Sequence, residues 1–165
     1  MSSVHVTLEF TPNPNTLKYV VDQVLLERGA ANFTSKQSAE GKSILATTLL
    51  GIEGVSAIMI GRNFVTVTKN EEGEWEKIHM SSVDTIKAIL AGTEPAVNPE
   101  ALLAPINHTA ATGDVEKRIQ EILDQEIRPA VAMDGGDITF DKYEDGVVYL
   151  FMQGACSGCP SSTMT

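Results

Sequence analysis

The chain has 165 residues, 42% hydrophobic and 21% charged, a balance that excludes a disordered protein and leaves room for one ordinary domain or two small ones. Acidic side chains outnumber basic ones by 22 to 12, and the net charge of -10 repels a phosphate backbone, so nucleic acid is excluded as the main partner. No apolar run approaches the ~20 residues of a membrane helix, so no membrane partner is expected.

Met1 to Phe10 contains Glu9 and no lysine or arginine, unlike a signal or transit peptide, so the expected compartment is the bacterial cytoplasm or, for a mature organellar form, the mitochondrial matrix. Val4, Val6, Leu8 and Phe10 alternate as in a half-buried strand. Leu17 to Val21 reads as its neighbour across the proline-stiffened loop Thr11-Pro12-Asn13-Pro14-Asn15. Ser43 caps a short helix over Ile44 to Leu50, and Val55 to Ile60 pairs with Phe64 to Thr68 around Gly61-Arg62-Asn63. Ser81 and Asp84 resemble a capping box for a helix whose face carries Val83, Ile86, Lys87 and Leu90. Trp75, among Glu74, Glu76 and Lys77, is expected at the rim of this first block, which ends near Ala91.

Pro95, Pro99 and Pro105 stand among small and polar residues without hydrophobic period, so 92–113 reads as a linker. Residues 1–91 carry 8 basic and 10 acidic side chains, residues 92–165 carry 4 and 12, so the two halves are expected to meet different partners. Beyond the linker, Asp114 is placed to cap a helix with the apolar face Val115, Ile119, Ile122 and Leu123, which Pro129 kinks or ends. Asp134-Gly135-Gly136-Asp137 forms a turn, its glycines supplying positive φ rather than its aspartates a site. Strands over Ile138 to Phe140 and Val147 to Met152 meet across Glu144-Asp145-Gly146. The run Val147-Val148-Tyr149-Leu150-Phe151-Met152 is apolar on both faces, so the helix covers one face and the other asks for a second cover. The fold class expected is α+β in two layers, divided as 1–91, linker 92–113 and 114–165.

The only cysteines are Cys156 and Cys159, in Gly154-Ala155-Cys156-Ser157-Gly158-Cys159-Pro160, and a bridge between them closes a loop too small to staple a fold. Two intervening residues let both sulfurs face one centre, and Pro160-Ser161-Ser162-Thr163 reads as the start of a helix whose N-terminus favours thiolate. Three chemistries suit the pair. A thioredoxin-like dithiol usually sits in a βαβ unit, absent here. Zinc needs four ligands, and His5, His79 and His108 lie elsewhere in the chain. An iron-sulfur cluster takes four thiolates, of which one chain supplies two. Two chains about a two-fold axis complete the set for either metal and cover the open apolar face. Met133, Met152 and Met164 read as packing rather than soft ligands. The loop Pro12-Asn13-Pro14 reads equally as a docking element or as a stiff hairpin end. No phosphate loop, Ser-His pair or carboxylate pair stands out, so an ordinary enzyme is not expected.

Asp134-Gly135-Gly136-Asp137 together with Gly154 to Ser162 resembles the C-terminal domain of the Nfu proteins, the NifU-like iron-sulfur scaffolds and carriers, and Thr11-Pro12-Asn13-Pro14-Asn15-Thr16-Leu17-Lys18-Tyr19 resembles their N-terminal domain. The resemblance implies a homodimer that shares a 4Fe-4S cluster, or alternatively a 2Fe-2S cluster, between protomers, with Cys156 and Cys159 as the only ligands from each chain. It further implies upstream assembly donors and apo iron-sulfur proteins as recipients; the alternative is a thiol-disulfide oxidoreductase using the same pair. In the family the cysteine loop leads into a full helix and a further strand, whereas this sequence stops at Thr165, so 114–165 is expected to be an incomplete version of that domain.

Overall fold

The structure, a computed structural model, describes residues 3–27, 29–99 and 113–160. Most of the expected linker lies outside these residues, as do His108, Met164 and the helix start beyond Pro160.

The first elements are β1 (Val6–Phe10), β2 (Thr16–Val21), β3 (Ala31–Phe33), α1 (Lys36–Ala39), α2 (Ile44–Leu49), β4 (Val55–Ile60), β5 (Phe64–Lys69) and α3 (Trp75–Leu90). The strands form one antiparallel sheet in the order β1-β2-β5-β4-β3. Alternation sends Tyr19, Ile58, Ile60, Val65 and Val67 to the helical side, where Leu45 and Leu49 of α2 and Ile78 and Ile86 of α3 bury against them. Each such aliphatic side chain contributes roughly 1.5–3 kcal/mol of transfer free energy. Ser43 caps α2 as expected, its hydroxyl accepting from Ala46 N at 3.0 Å.

Helix α3 begins six residues before the expected capping box, with Ser81 inside it. Ile78, Ser82, Ile86 and Leu90 recur every fourth residue and are all buried, so packing carries the helix through Ser81. Trp75 starts this helix and packs partly against the core, its indole N–H donating to Pro14 O at 3.2 Å. The strand β3 and the turn-long α1 had no periodic signal. Ala96 and Val97 also bury in this core, and Ser43 Oγ donates to Ala96 O at 2.6 Å, so the chain just past Ala91 is still packed.

The later elements are α4 (Asp114–Ile122), a π-helical turn over Leu123–Ile127, α5 (Arg128–Met133), β6 (Gly136–Glu144) and β7 (Val147–Gly154). The N-cap is Gly113, whose N–H donates to the Glu116 carboxylate at 3.0 Å, and Asp114 is the first helical residue rather than the cap. Pro129 neither ends nor breaks the helix. Proline has no N–H to give, and the π turn just before it takes up the misfit: Arg128 N bonds to Leu123 O, five residues back, and α5 continues to Met133. The hairpin turn is Asp145-Gly146, with φ of 50° and 81°, the signature of a two-residue loop between twisted strands.

The helices cover β6 rather than β7. Leu123, Ile138 and Phe140 form the small core, with Ile119, Val131 and Cys156 packed on it, while Val115 is 55% exposed and Val147 to Met152 range from 39% to 54%. The expectation of one helix-covered face on β7 is therefore corrected among the described residues: the ladder presents Ile138 and Phe140 to the helices, and Val147 to Met152 stay exposed on both faces of β7.

The non-helical face of the five-stranded sheet is also covered. Lys18, Thr66 and Met59 stand side by side across β2, β5 and β4, pointing away from α2 and α3, yet they are 8%, 0% and 1% exposed. The ends of α5 and β7 lie on them. A Cβ at Gly135 would stand 2.9 Å from Thr66 Cγ2, and one at Gly154 would stand 2.8 Å from Met59 Sδ.

Candidate metal centre

The cysteine loop leaves β7 at Gly154 and turns back on itself before Pro160. Gly154 and Gly158 adopt φ of 61° and 69°, conformations that L side chains rarely take, so glycines flank the loop at both bends. Ala155 N donates to Gly135 O at 3.1 Å, and Ser157 N to Gly154 O at 3.1 Å. These bonds place Cys156 directly over the Asp134 to Asp137 turn.

That turn uses its two glycines differently. Gly135 has φ of 79°, the positive value expected at a helix-to-strand turn. Gly136 has no such conformation; its requirement is space, because any Cβ there would run into Cys156 Sγ. Asp137 is buried and held by a two-pronged bond, Arg128 Nε to Oδ1 at 2.9 Å and Nη2 to Oδ2 at 3.1 Å, while Arg128 Nη1 reaches Asp124 at 3.0 Å. Neither the packing role of Gly136 nor the Arg128 fork was legible in the sequence.

Cys159 is buried and Cys156 partly so. Burial pushes the Cys156 thiol above its ordinary pKa, and the neighbouring Cys159, Asp134 and Asp137 push it the same way. The expectation that a helix start after Pro160 favours thiolate falls on residues 161–163, outside the described residues. In the apo chain, alkylation of Cys156 followed by peptide mapping should have its pH midpoint above the ~8.5 of a free thiol. A folded-state pKa raised in this way contributes stability that is present below the unfolded value and lost as pH rises through the folded one. Full reactivity already at neutral pH would contradict this surrounding.

Among the described residues, no three His, Cys, Asp or Glu side chains come together as a metal-holding group. His79 bonds Tyr19 in the first block, its Nδ1 3.1 Å from the phenol oxygen, and His5 stands before β1. Neither joins the cysteines. Met133 and Met152 are both exposed. The loop Pro12-Asn13-Pro14 does reach the site. Asn13 Nδ2 donates to Ala155 O at 3.2 Å and to Ser157 O at 3.0 Å.

The family described as scaffold protein Nfu/NifU N terminal matches residues 6–93, and the NifU-like domain matches residues 119–165. The protein named NFU1 iron-sulfur cluster scaffold homolog, mitochondrial, from Homo sapiens is 40% identical over 158 residues, which cover 94% of this chain and 61% of that protein. Its namesake from Drosophila virilis is 37% identical over 163 residues, covering 99% and 55%. The chain thus spans less than two thirds of either relative. The solution NMR structure of a NifU-like protein from Saccharomyces cerevisiae shares the fold at a TM-score of 0.54 and 24% identity, over 60% of this chain and 91% of that one.

Proposed function

The chain belongs to the Nfu/NifU scaffold family, and from that premise we propose that it is an iron-sulfur cluster scaffold and carrier whose cargo is held by Cys156 and Cys159. The observation that carries this reading is the seat of the pair: two cysteines at metal-ligand spacing on a glycine-bounded loop, one of them set over a glycine that leaves room for its sulfur.

Two thiolates are half of a four-thiolate set, and the sequence holds no third cysteine. A second copy of the chain supplies the other half across a two-fold axis, with a 4Fe-4S cluster as the cargo and 2Fe-2S as the smaller alternative. The cluster arrives from an upstream assembly donor. It leaves when cysteines of an apo iron-sulfur protein displace Cys156 and Cys159, one thiolate entering for each one leaving, so that no electron changes hands. The mitochondrial names of the human and fly relatives favour the matrix, with the bacterial cytoplasm as the alternative. No helix of the described residues is long and apolar enough to cross a membrane.

Anaerobic reconstitution with iron and sulfide should load about two irons per chain and convert the protein to a dimer, and either Cys156→Ala or Cys159→Ala should abolish the brown chromophore. Zinc alone in the purified protein, or a brown monomer, would defeat the reading. A colourless wild type whose Cys159→Ala form traps mixed disulfides through Cys156 would favour the dithiol oxidoreductase instead.

A further inference from the structure

The N-terminal block touches the cysteine loop through a mount built for rigidity. Asn13 is 3% exposed and fully engaged: both carbonyls that its Nδ2 bonds belong to the residues on either side of Cys156, Oδ1 accepts from Asn15 N at 3.0 Å, and its main-chain O accepts from Thr16 N at 3.1 Å. The amide orientation is determined by these partners, since a flip would aim an oxygen at two carbonyls. Pro12 and Pro14 fix φ on both sides, Thr11 Oγ1 accepts from Asn13 N at 3.2 Å, and the Trp75 indole ties down Pro14 O.

Two further contacts hold the same surfaces together. Lys18 Nζ donates to Met133 O at 3.0 Å, at the last residue of α5, where a cation meets the negative end of the helix. Gly135 and Gly154 then bring the backbone of the turn and of the loop down onto Thr66 and Met59.

We propose that Asn13 is a positioning residue of the cluster site and that the N-terminal block acts in cis as the holder of the cysteine loop. The purpose rests on the cluster reading above; the contact itself does not. Between Gly154 and Gly158 the loop has a left-handed bend at each end and a single main-chain bond within it, Ser157 N to Gly154 O. The Ala155 carbonyl lies in the peptide plane entering Cys156, Ser157 N lies in the plane leaving it and bonds Gly154 O, and the Ser157 carbonyl lies in the plane after that; holding all three fixes the direction of the Cys156 Cα–Cβ bond. Freedom removed before the cargo arrives is not lost when it binds, so a held loop retains a cluster more tightly than a loose one.

The test compares Asn13→Ala with Asn13→Asp in the full chain. Aspartate keeps the acceptor for Asn15 N but replaces the donor with an oxygen facing two carbonyls. If Asn13 served only its own turn, Asp would behave as wild type. Positioning through Nδ2 predicts that Asp is at least as damaging as Ala. In the apo protein, hydrogen exchange at the Ala155 and Ser157 amides should accelerate about tenfold in both variants, the factor that roughly 1.4 kcal/mol of lost hydrogen bonding gives. Exchange at Val65 and Val67 should not change. In the loaded protein, release of iron to a chelator should accelerate about tenfold as well. Wild-type exchange at Ala155 and Ser157 in the Asp variant, or equal acceleration in the five-stranded sheet, would overturn the proposal. A wild type that never takes up iron would remove the cluster reading, while the exchange measurements would still decide whether Asn13 holds the loop.

Discussion

Replacing Gly136 by alanine should cost the protein its cluster while leaving the five-stranded sheet folded. A Cβ at this position overlaps Cys156 Sγ and also stands 3.0 Å from Cys156 N and 3.1 Å from Cys156 Cβ. Rotating the cysteine side chain relieves the first contact but not the other two, so the backbone of the loop must move. Overpacking of this kind costs roughly 1–3 kcal/mol, and displaced supports of a metal ligand typically weaken binding by about 10–100-fold. Gly136 is not in the left-handed region, so backbone strain does not confuse the result. Gly146→Ala is the matched control: it lies at the far end of the same hairpin at φ 81° with nothing within 4 Å of its Cβ. It should lose about 1 kcal/mol of stability through strain and keep full iron loading. Iron content and visible absorbance after reconstitution separate the two variants. Full loading in Gly136→Ala, with Cys156 alkylated at the wild-type rate, would show that the sulfur has another place to go.

How much of this was legible depends on how far apart the interacting residues lie. Cys156 and Cys159 declare themselves by spacing, and the hairpins β1-β2 and β4-β5 by alternation, because both signals are contained in a few neighbouring residues. The start of α3 was obscured by a local capping pattern at Ser81, while the stronger signal was the recurrence of Ile78, Ser82, Ile86 and Leu90, whose serine interrupts the apolar count. Pro129 was expected to kink or end a helix, as its missing N–H demands. A π turn satisfies that demand with the helix continuing, and no residue type announces such a turn. Asn13 and the cysteine loop are 142 residues apart, and no periodicity within either segment connects them. The buried row Lys18, Thr66 and Met59 is the signal that was available: a lysine and a threonine facing away from the helices read as a solvated face, and the Gly135 turn that covers them carries no side chain to advertise the contact.

Arg128→Ala should unfold the second sheet, and the reason lies in what the substitution leaves behind. The Asp137 side chain is 8% exposed and accepts from Arg128 Nε and Nη2 at 2.9 and 3.1 Å. Without the fork its carboxylate is a buried charge with no cation, a change that costs about 3–5 kcal/mol where such pairs have been broken. The unit that must absorb this is a two-stranded ladder on a core of Leu123, Ile138 and Phe140, and a hairpin of that kind is marginal in water. Hydrogen exchange across β6 and β7 in Arg128→Ala should approach that of an unfolded chain, while β2 and β5 stay protected. Arg128→Lys should fall between, since an ammonium offers a point charge in place of two parallel donors. The double change Arg128→Met with Asp137→Asn removes the stranded charge along with its partner and should recover most of the loss, as replacing a whole buried pair often does. Because Asp137 follows Gly136 directly, the pair also holds the floor beneath Cys156, so iron retention should track the exchange of β6 through the series. Wild-type protection of β6 and β7 in Arg128→Ala would mean that the ion pair contributes nothing net, and that the contacts of Gly135 and Gly154 with the first sheet suffice to hold the hairpin.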